Sequence, residues 1–186
     1  EVKLLRATEN PQEIIQTAAN MTMRQDLTTR SEDLPGLVKY LIKANHTSLF
    51  EHINYSFMIE GGTRSLLAQA TRHRIASYTS GSQHYQNYSD YGFRIADEHA
   101  GNPKVEAIVQ QTMEAYRELI ADGVPKEEAR QVLPNGMENN LMVTINARSL
   151  ANFLNLRMCN RNTKEIKMVA EKMYDLVQPH FPEFFN

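Results

Sequence analysis

Two short stretches in which apolar and polar residues alternate constrain this chain of 186 residues more than anything else in it. Ile53, Tyr55, Phe57 and Ile59 form one row, and Leu141, Val143 and Ile145 form another. A period of two places each row on one face of a β-strand, where it must be buried. The surrounding segments have helical spacing instead, so the chain is expected to form a single mixed α+β domain spanning residues 1–186.

The helical segments can be placed by their apolar stripes and their ends. Residues 11–23 put Ile14, Ile15, Ala18 and Ala19 on one face, with Asn10 as the N-cap and Pro11 at the first helical position. A second helix is predicted from residue 33 or 34 to 44, carrying Leu37, Tyr40 and Leu41. Gly61-Gly62 is read as the end of the first strand, and Thr63 as the cap of a helix running to about residue 74. Residues 78–82, Tyr-Thr-Ser-Gly-Ser, have the chemistry of a turn. Residues 104–121 form a long amphipathic helix with Val105, Ile108, Val109, Met113, Tyr116, Leu119 and Ile120 along one stripe, closed by Asp122-Gly123. Pro125 opens a further turn, and helices are predicted at residues 148–158 and 163–177. No repeat, low-complexity tract or linker interrupts the pattern.

Composition excludes several function classes. The 41% hydrophobic and 23% charged content is that of a globular protein. No apolar run reaches the roughly 18 residues of a membrane-spanning helix, and the first residues lack a secretory pattern, so a cytoplasmic location is expected. With 20 Lys+Arg against 22 Asp+Glu, no global field favours a nucleic-acid polyanion. The single cysteine, Cys159, cannot form an intramolecular disulfide and makes a structural metal site unexpected. It is expected to be a buried small hydrophobe rather than a nucleophile.

The chemistry is concentrated in residues 72–85, Arg-His-Arg-Ile-Ala-Ser-Tyr-Thr-Ser-Gly-Ser-Gln-His-Tyr. Two arginines flanking a histidine, followed by a loop rich in hydroxyls and amides, suit phosphate and a flat anionic ring. Basic residues at a helix C-terminus are also favoured by the helix dipole, so this segment alone does not decide between a ligand site and a solvated helix end. The segment resembles the signature of the flavin-dependent thymidylate synthases: Arg-His-Arg, seven residues, then Ser82, with Ser77 and Tyr85 in their usual places. Three further blocks resemble the same family: residues 46–52, His-Thr-Ser-Leu-Phe-Glu-His; Gly123-Val124-Pro125 through Arg130 and Leu133-Pro134; and residues 146–157.

What the resemblance implies can be assigned position by position. The fold would have a central antiparallel sheet flanked by helices, in a homotetramer whose sites are shared between subunits. FAD would be held by Thr22, His46, Ser48, Glu51, Arg72, His73, Arg74, Ile75, Asn146, Arg148 and Asn152. The nucleotide dUMP would be held by Gln69, Ser80, Ser82, His84, Arg130 and Arg157. Arg157, Ser82 and His46 are the candidates closest to the chemistry, with Arg157 as the electrophile, Ser82 as a positioning or polarising group and no cysteine nucleophile. Methylenetetrahydrofolate would supply the carbon and NADPH would reduce the flavin. No metal ion is implied.

Some departures from the family pattern leave alternatives open. Thr79 stands where the family often has Asn, Ser80 where many members carry Glu, and His84 where it usually has Arg. These departures motivate a second reading with the same flavin chemistry but a different pyrimidine nucleotide, such as UMP. A more distant reading uses Arg72 and Arg74 in a nucleic-acid-binding module, against the near-neutral charge. His46 is either a cofactor contact or a cap on the preceding helix. Tyr78, Tyr85, Tyr88 and Tyr91 either stack on a flat ligand or pack their own loop.

Overall fold

The computed structural model describes residues 1–186. Both alternating rows are strands with one buried face. The first, β2 (Asn54–Thr63), buries Tyr55, Phe57 and Ile59, with Ile53 buried just ahead of it. The other, β4 (Glu138–Asn146), buries Leu141, Val143 and Ile145. They are neighbours in a four-stranded antiparallel sheet whose order is β1 (Val2–Ala7), β2, β4, β3 (Ser77–Ser80). Between β2 and β4 the polar face is joined by Ser56 and Thr144, whose hydroxyls lie 2.9 Å apart.

The helices are α1 (Pro11–Thr22), α2 (Leu34–Lys43), α3 (Arg64–Ala70), α4 (Pro103–Ala121), α5 (Lys126–Ala129), α6 (Ala147–Arg157) and α7 (Lys164–Val177). Their starts are largely where capping chemistry predicts. The Asp33 carboxylate accepts the Gly36 N–H at 2.8 Å, and the Thr63 hydroxyl accepts the Leu66 N–H at 3.0 Å. Asn10 behaves differently from the expected side-chain cap. It adopts φ 46, makes no side-chain cap bond, and accepts the Glu13 and Ile14 N–H groups through its carbonyl. Asparagine tolerates that left-handed conformation better than most residues.

Four boundaries differ from the sequence reading. The strand β1 has only a weak alternation and was not anticipated. Gly61-Gly62 does not end β2, which runs on to Thr63: the Gly61 N–H is satisfied by the Asn140 side chain at 3.0 Å, and just past the strand the Arg64 N–H bonds the Met137 carbonyl at 3.1 Å. Gly62 is needed for packing, since a Cβ there would sit 2.6 Å from Leu66 Cδ2. The helix after Thr63 stops at Ala70, so the Arg-His-Arg run lies beyond it. Residues 77–80 are strand β3 instead of a turn, because β4 offers them a partner edge that local propensity cannot report.

The chain divides into two compact units. The first comprises Glu1, residues 59–72 and residues 79–141. Its core is Tyr88, Met113, Tyr116, Ala129 and Met137, with the Tyr88 N–H donating to Tyr116 Oη at 3.2 Å. Met113 and Tyr116 anchor α4, whereas Ile108 of the same predicted stripe is exposed.

The second unit comprises residues 2–58, 73–78 and 142–186. It buries Phe50, Ile53, Tyr55, Phe57, Leu150, Phe153, Phe181 and Phe185. Residues past α7 close part of this core: Phe184 stacks on Phe50 with ring centroids 4.4 Å apart, and Phe181 lies 6.2 Å from the same ring. These contacts seat the 3-10 turn Thr47–His52 between the aromatic tail residues and helices α1 and α6.

Candidate functional site

The Arg-His-Arg run alternates in its exposure. Arg72 and Arg74 point to solvent, while the His73 ring between them is only 8% exposed. His73 Nε2 lies 2.7 Å from Ser149 Oγ, and that hydroxyl donates its one proton to the Ile75 carbonyl at 2.7 Å. Ser149 therefore accepts from the imidazole, which fixes the proton on Nε2. The ring also stands edge-on to Phe153, 5.6 Å between centroids. Burial, helped by the nearby Arg157 charge, lowers the pKa of His73 and keeps it neutral. Of the three basic residues, the histidine thus pins the loop to α6 and leaves the two guanidinium groups outside.

The same loop has a second anchor. Tyr78 donates to the His73 carbonyl at 2.8 Å, and burial raises its phenol to about 12 against the opposing influence of Arg157. The Tyr78 hydroxyl thereby ties its own loop together. Ile75 is 70% exposed beside Arg74, an apolar surface next to a cation. The Ser149 contribution was not singled out from sequence. Its signal lies in the run Asn146-Ala147-Arg148-Ser149, where Asn146 Oδ1 caps α6 by accepting the Ser149 N–H at 2.8 Å.

That cap places Arg148 at the first turn of α6 with its side chain outward. Arg148 Nη1 and Glu51 Oε1 are 2.6 Å apart, with both side chains about half exposed. Glu51 reaches this position from the Thr47–His52 turn, together with exposed Ser48 and His46. The His46 N–H ends α2 by bonding the Leu41 carbonyl at 2.9 Å, with Asn45 left-handed at φ 60. The His46 backbone thus bonds into the last turn of α2, and its imidazole makes no cap bond at the start of the Thr47–His52 turn. Asn152 is exposed one turn after Arg148 on α6. Thr22 is the last residue of α1, its hydroxyl turned back to the Ala18 carbonyl at 3.0 Å.

All the cofactor candidates except Arg72 belong to the second unit. Those of the second unit supply a solvent-facing guanidinium in the loop, Arg74, another oriented by a carboxylate, and hydroxyl, amide and imidazole donors. That donor set fits a dinucleotide whose pyrophosphate is anionic and whose ring edge carries acceptors.

The nucleotide candidates other than Arg157 belong to the first unit. Ser80 ends β3, and Gly81 passes so close to neighbouring side chains that a Cβ would meet Asn139 Oδ1 at 2.5 Å. Asn139 Nδ2 donates to the Gly81 carbonyl at 3.2 Å, and the Gly81 N–H bonds the Asn140 carbonyl at 3.2 Å. The chain then turns at Ser82: its carbonyl accepts the Tyr85 and Gln86 N–H groups at 3.2 and 2.9 Å, and its hydroxyl accepts the His84 N–H at 3.3 Å. Exposed His84 and Tyr85 lie edge-to-face, 4.6 Å between centroids. Tyr88 is buried in the core with its ring tilted against Tyr91, 4.3 Å between centroids, so these two rings pack against each other in their own loop. Arg130 is exposed after α5, with Nε donating to the Glu127 carbonyl at 3.0 Å. Gln69 sits on α3, its Nε2 3.5 Å from Ser65 Oγ.

Arg157 ends α6 in the second unit, where its charge reaches His73 and Tyr78. Arg148, Asn152 and Asn155 are exposed along the same helix and Arg157 is half-buried, as helical spacing predicts for opposite faces. Cys159 lies beyond the helix end and is exposed, contrary to the expected burial; helical spacing extends to it the exposed face of Arg148, Asn152 and Asn155. No group of His, Cys, Asp and Glu side chains is arranged to hold a metal ion.

Comparison with known proteins decides what this arrangement belongs to. Residues 3–183 match the family model described as thymidylate synthase complementing protein. A flavin-dependent thymidylate synthase from Geobacter sulfurreducens is 34% identical over all of this chain and 85% of its own length. The chain belongs to the flavin-dependent thymidylate synthase family. A member from Sulfurisphaera tokodaii is also 34% identical, over all of this chain and 76% of that protein. Among solved structures, thymidylate synthase X from Helicobacter pylori with FAD and dUMP has a TM-score of 0.85 at 25% identity, covering 100% of this chain and 97% of that one. The UMP/dUMP methylase PolB from Streptomyces cacaoi shares the fold at the same TM-score with 24% identity. The family's mixed α+β fold, with its antiparallel sheet, is the one expected from the motif blocks.

Proposed function

We propose that this member of the family is a working synthase that converts dUMP to dTMP, with methylenetetrahydrofolate as carbon donor and NADPH as reductant of its FAD. The observation that carries the reading is the arrangement around His73. A neutral, buried imidazole fastens the signature loop to α6 while Arg72 and Arg74 remain available to an anionic ligand. Bound FAD supplies the hydride chemistry.

The chain's own residues orient and stabilise. Arg72, Arg74 and Arg148 hold the cofactor's anionic and acceptor groups, and Glu51 fixes the direction of the Arg148 fork. Ser48, His46, Asn146, Asn152, Thr22 and Ile75 complete the cofactor contacts. Ser80, Ser82, His84, Arg130 and Gln69 hold the nucleotide. Arg157, a permanent cation, stabilises negative charge developing on the uracil carbonyls. Ser82 polarises or positions the base: its Oγ already accepts the His84 N–H, and no base stands ready to activate it as a nucleophile. The active assembly is a homotetramer with sites shared between subunits, working in the cytoplasm. No helix of this chain is long and apolar enough to cross a membrane.

The deciding experiment follows flavin absorption of the purified protein during NADPH reduction, with dUMP and with UMP in competition. A flavin spectrum that responds to dUMP, followed by dTMP formation, is the expected result. A response to UMP alone would move the assignment to the other nucleotide. Absence of bound flavin after incubation with FAD would overturn the reading.

A further inference from the structure

We propose that Lys126 is a ligand of the nucleotide phosphate, an inference that rests on the nucleotide reading above. Lys126 opens α5, and its Nζ donates to the Tyr85 carbonyl at 3.2 Å. That bond brings an ammonium 41 positions along the chain to the loop carrying Ser82 and His84. The ammonium has three donors and spends one on this carbonyl. It forms no ion pair, although Glu127 and Glu128 follow it on the same helix. The cation is exposed and unneutralised.

Two further donors in the same unit are similarly uncommitted. Arg130 lies one turn beyond Lys126 in the continuous helical run, and it spends Nε on the Glu127 carbonyl while keeping its terminal nitrogens. The His84 ring faces Tyr85 edge-on and makes no hydrogen bond. Ammonium, guanidinium and imidazole are therefore presented from two segments, loop 82–86 and the helical run 126–132, which the Lys126 bond ties together. A phosphate dianion is the ligand chemistry this set takes, through charge-assisted bonds from several directions.

His84 by itself offers a phosphate one directed donor from its ring edge, whereas the Lys126 ammonium keeps two donors after its bond to the Tyr85 carbonyl. Lys126 therefore adds donors that His84 lacks.

The test uses the FAD-loaded protein and the variants Lys126→Gln and Lys126→Arg, with calorimetric binding of dUMP and of deoxyuridine, which lacks the phosphate. Lys126→Gln should weaken dUMP roughly tenfold, leave deoxyuridine unchanged and flatten the salt dependence of dUMP binding. Lys126→Arg should recover most of the affinity. Equal weakening of dUMP and deoxyuridine, with an unchanged salt slope, would make Lys126 a loop brace and overturn the proposal. So would unaltered dUMP affinity in Lys126→Gln. If the unsubstituted protein binds FAD but neither nucleotide nor nucleoside, the nucleotide reading itself fails, and this inference with it.

Discussion

His73 and Ser149, 76 positions apart in the chain, are joined by a 2.7 Å hydrogen bond in which the neutral imidazole donates, while the hydroxyl donates in turn to the Ile75 carbonyl. This pair decides how the signature loop is presented. It also makes the folded state sensitive to protons. The pKa of His73 lies below its ordinary 6.5 in the folded protein, first because of burial and then because of Arg157. In the unfolded chain it titrates near 6.5. As pH falls below about 6.5, the unfolded chain takes up a proton that the folded protein resists, so stability present above that pH is lost on the way down. Melting temperatures of the unsubstituted protein and of His73→Gln, compared between about pH 7.5 and 5.5, should show a shallower acid decline in the variant. Parallel declines would assign the acid sensitivity elsewhere.

Ser149→Ala removes an acceptor from a buried N–H and a donor from the Ile75 carbonyl. The cost should be about 2 kcal/mol, seen as a fall in Tm of roughly 4–8 °C for a chain of this size. Looser flavin binding should accompany it, because Arg72 and Arg74 flank the released histidine. Calorimetric melting and flavin titration measure the two effects separately.

The Glu51–Arg148 pair should affect binding more than stability. Its members are half exposed, and such pairs contribute about 0–1 kcal/mol. Glu51→Gln should therefore shift Tm by no more than about 4 °C while weakening FAD roughly tenfold through a less ordered Arg148. A large loss of stability with unaltered flavin affinity would show the pair to be a brace.

Gly81 is required by its surroundings: a Cβ would approach Asn139 Oδ1 at 2.5 Å and both Gln86 Oε1 and Tyr88 Oη at 3.0 Å. Asn139 and Tyr88 are buried and cannot swing into solvent. Gly81→Ala should cost about 1–3 kcal/mol and displace Ser80 and Ser82 together. In that variant KM for dUMP should rise, with FAD affinity preserved because the cofactor candidates are carried by other segments.

The chain's residues alone determined the two buried strand rows, most helix starts and the blocks that mark the family. Each depends on local periodicity, capping chemistry or residue identity, and Tyr55, Asp33 and the Arg72-His73-Arg74 run carry that information without reference to distant segments. What each functional residue does with its side chain was decided by tertiary structure. His73 reads as one more exposed base until Ser149 and Phe153 enclose it, and Glu51 has no evident partner until α6 brings Arg148 within 2.6 Å. Residues 77–80 carry turn residues yet form a strand because β4 supplies an edge to pair with. Such long-range pairings set burial, proton position and charge orientation, and their partners lie dozens of residues away, beyond the reach of any local pattern.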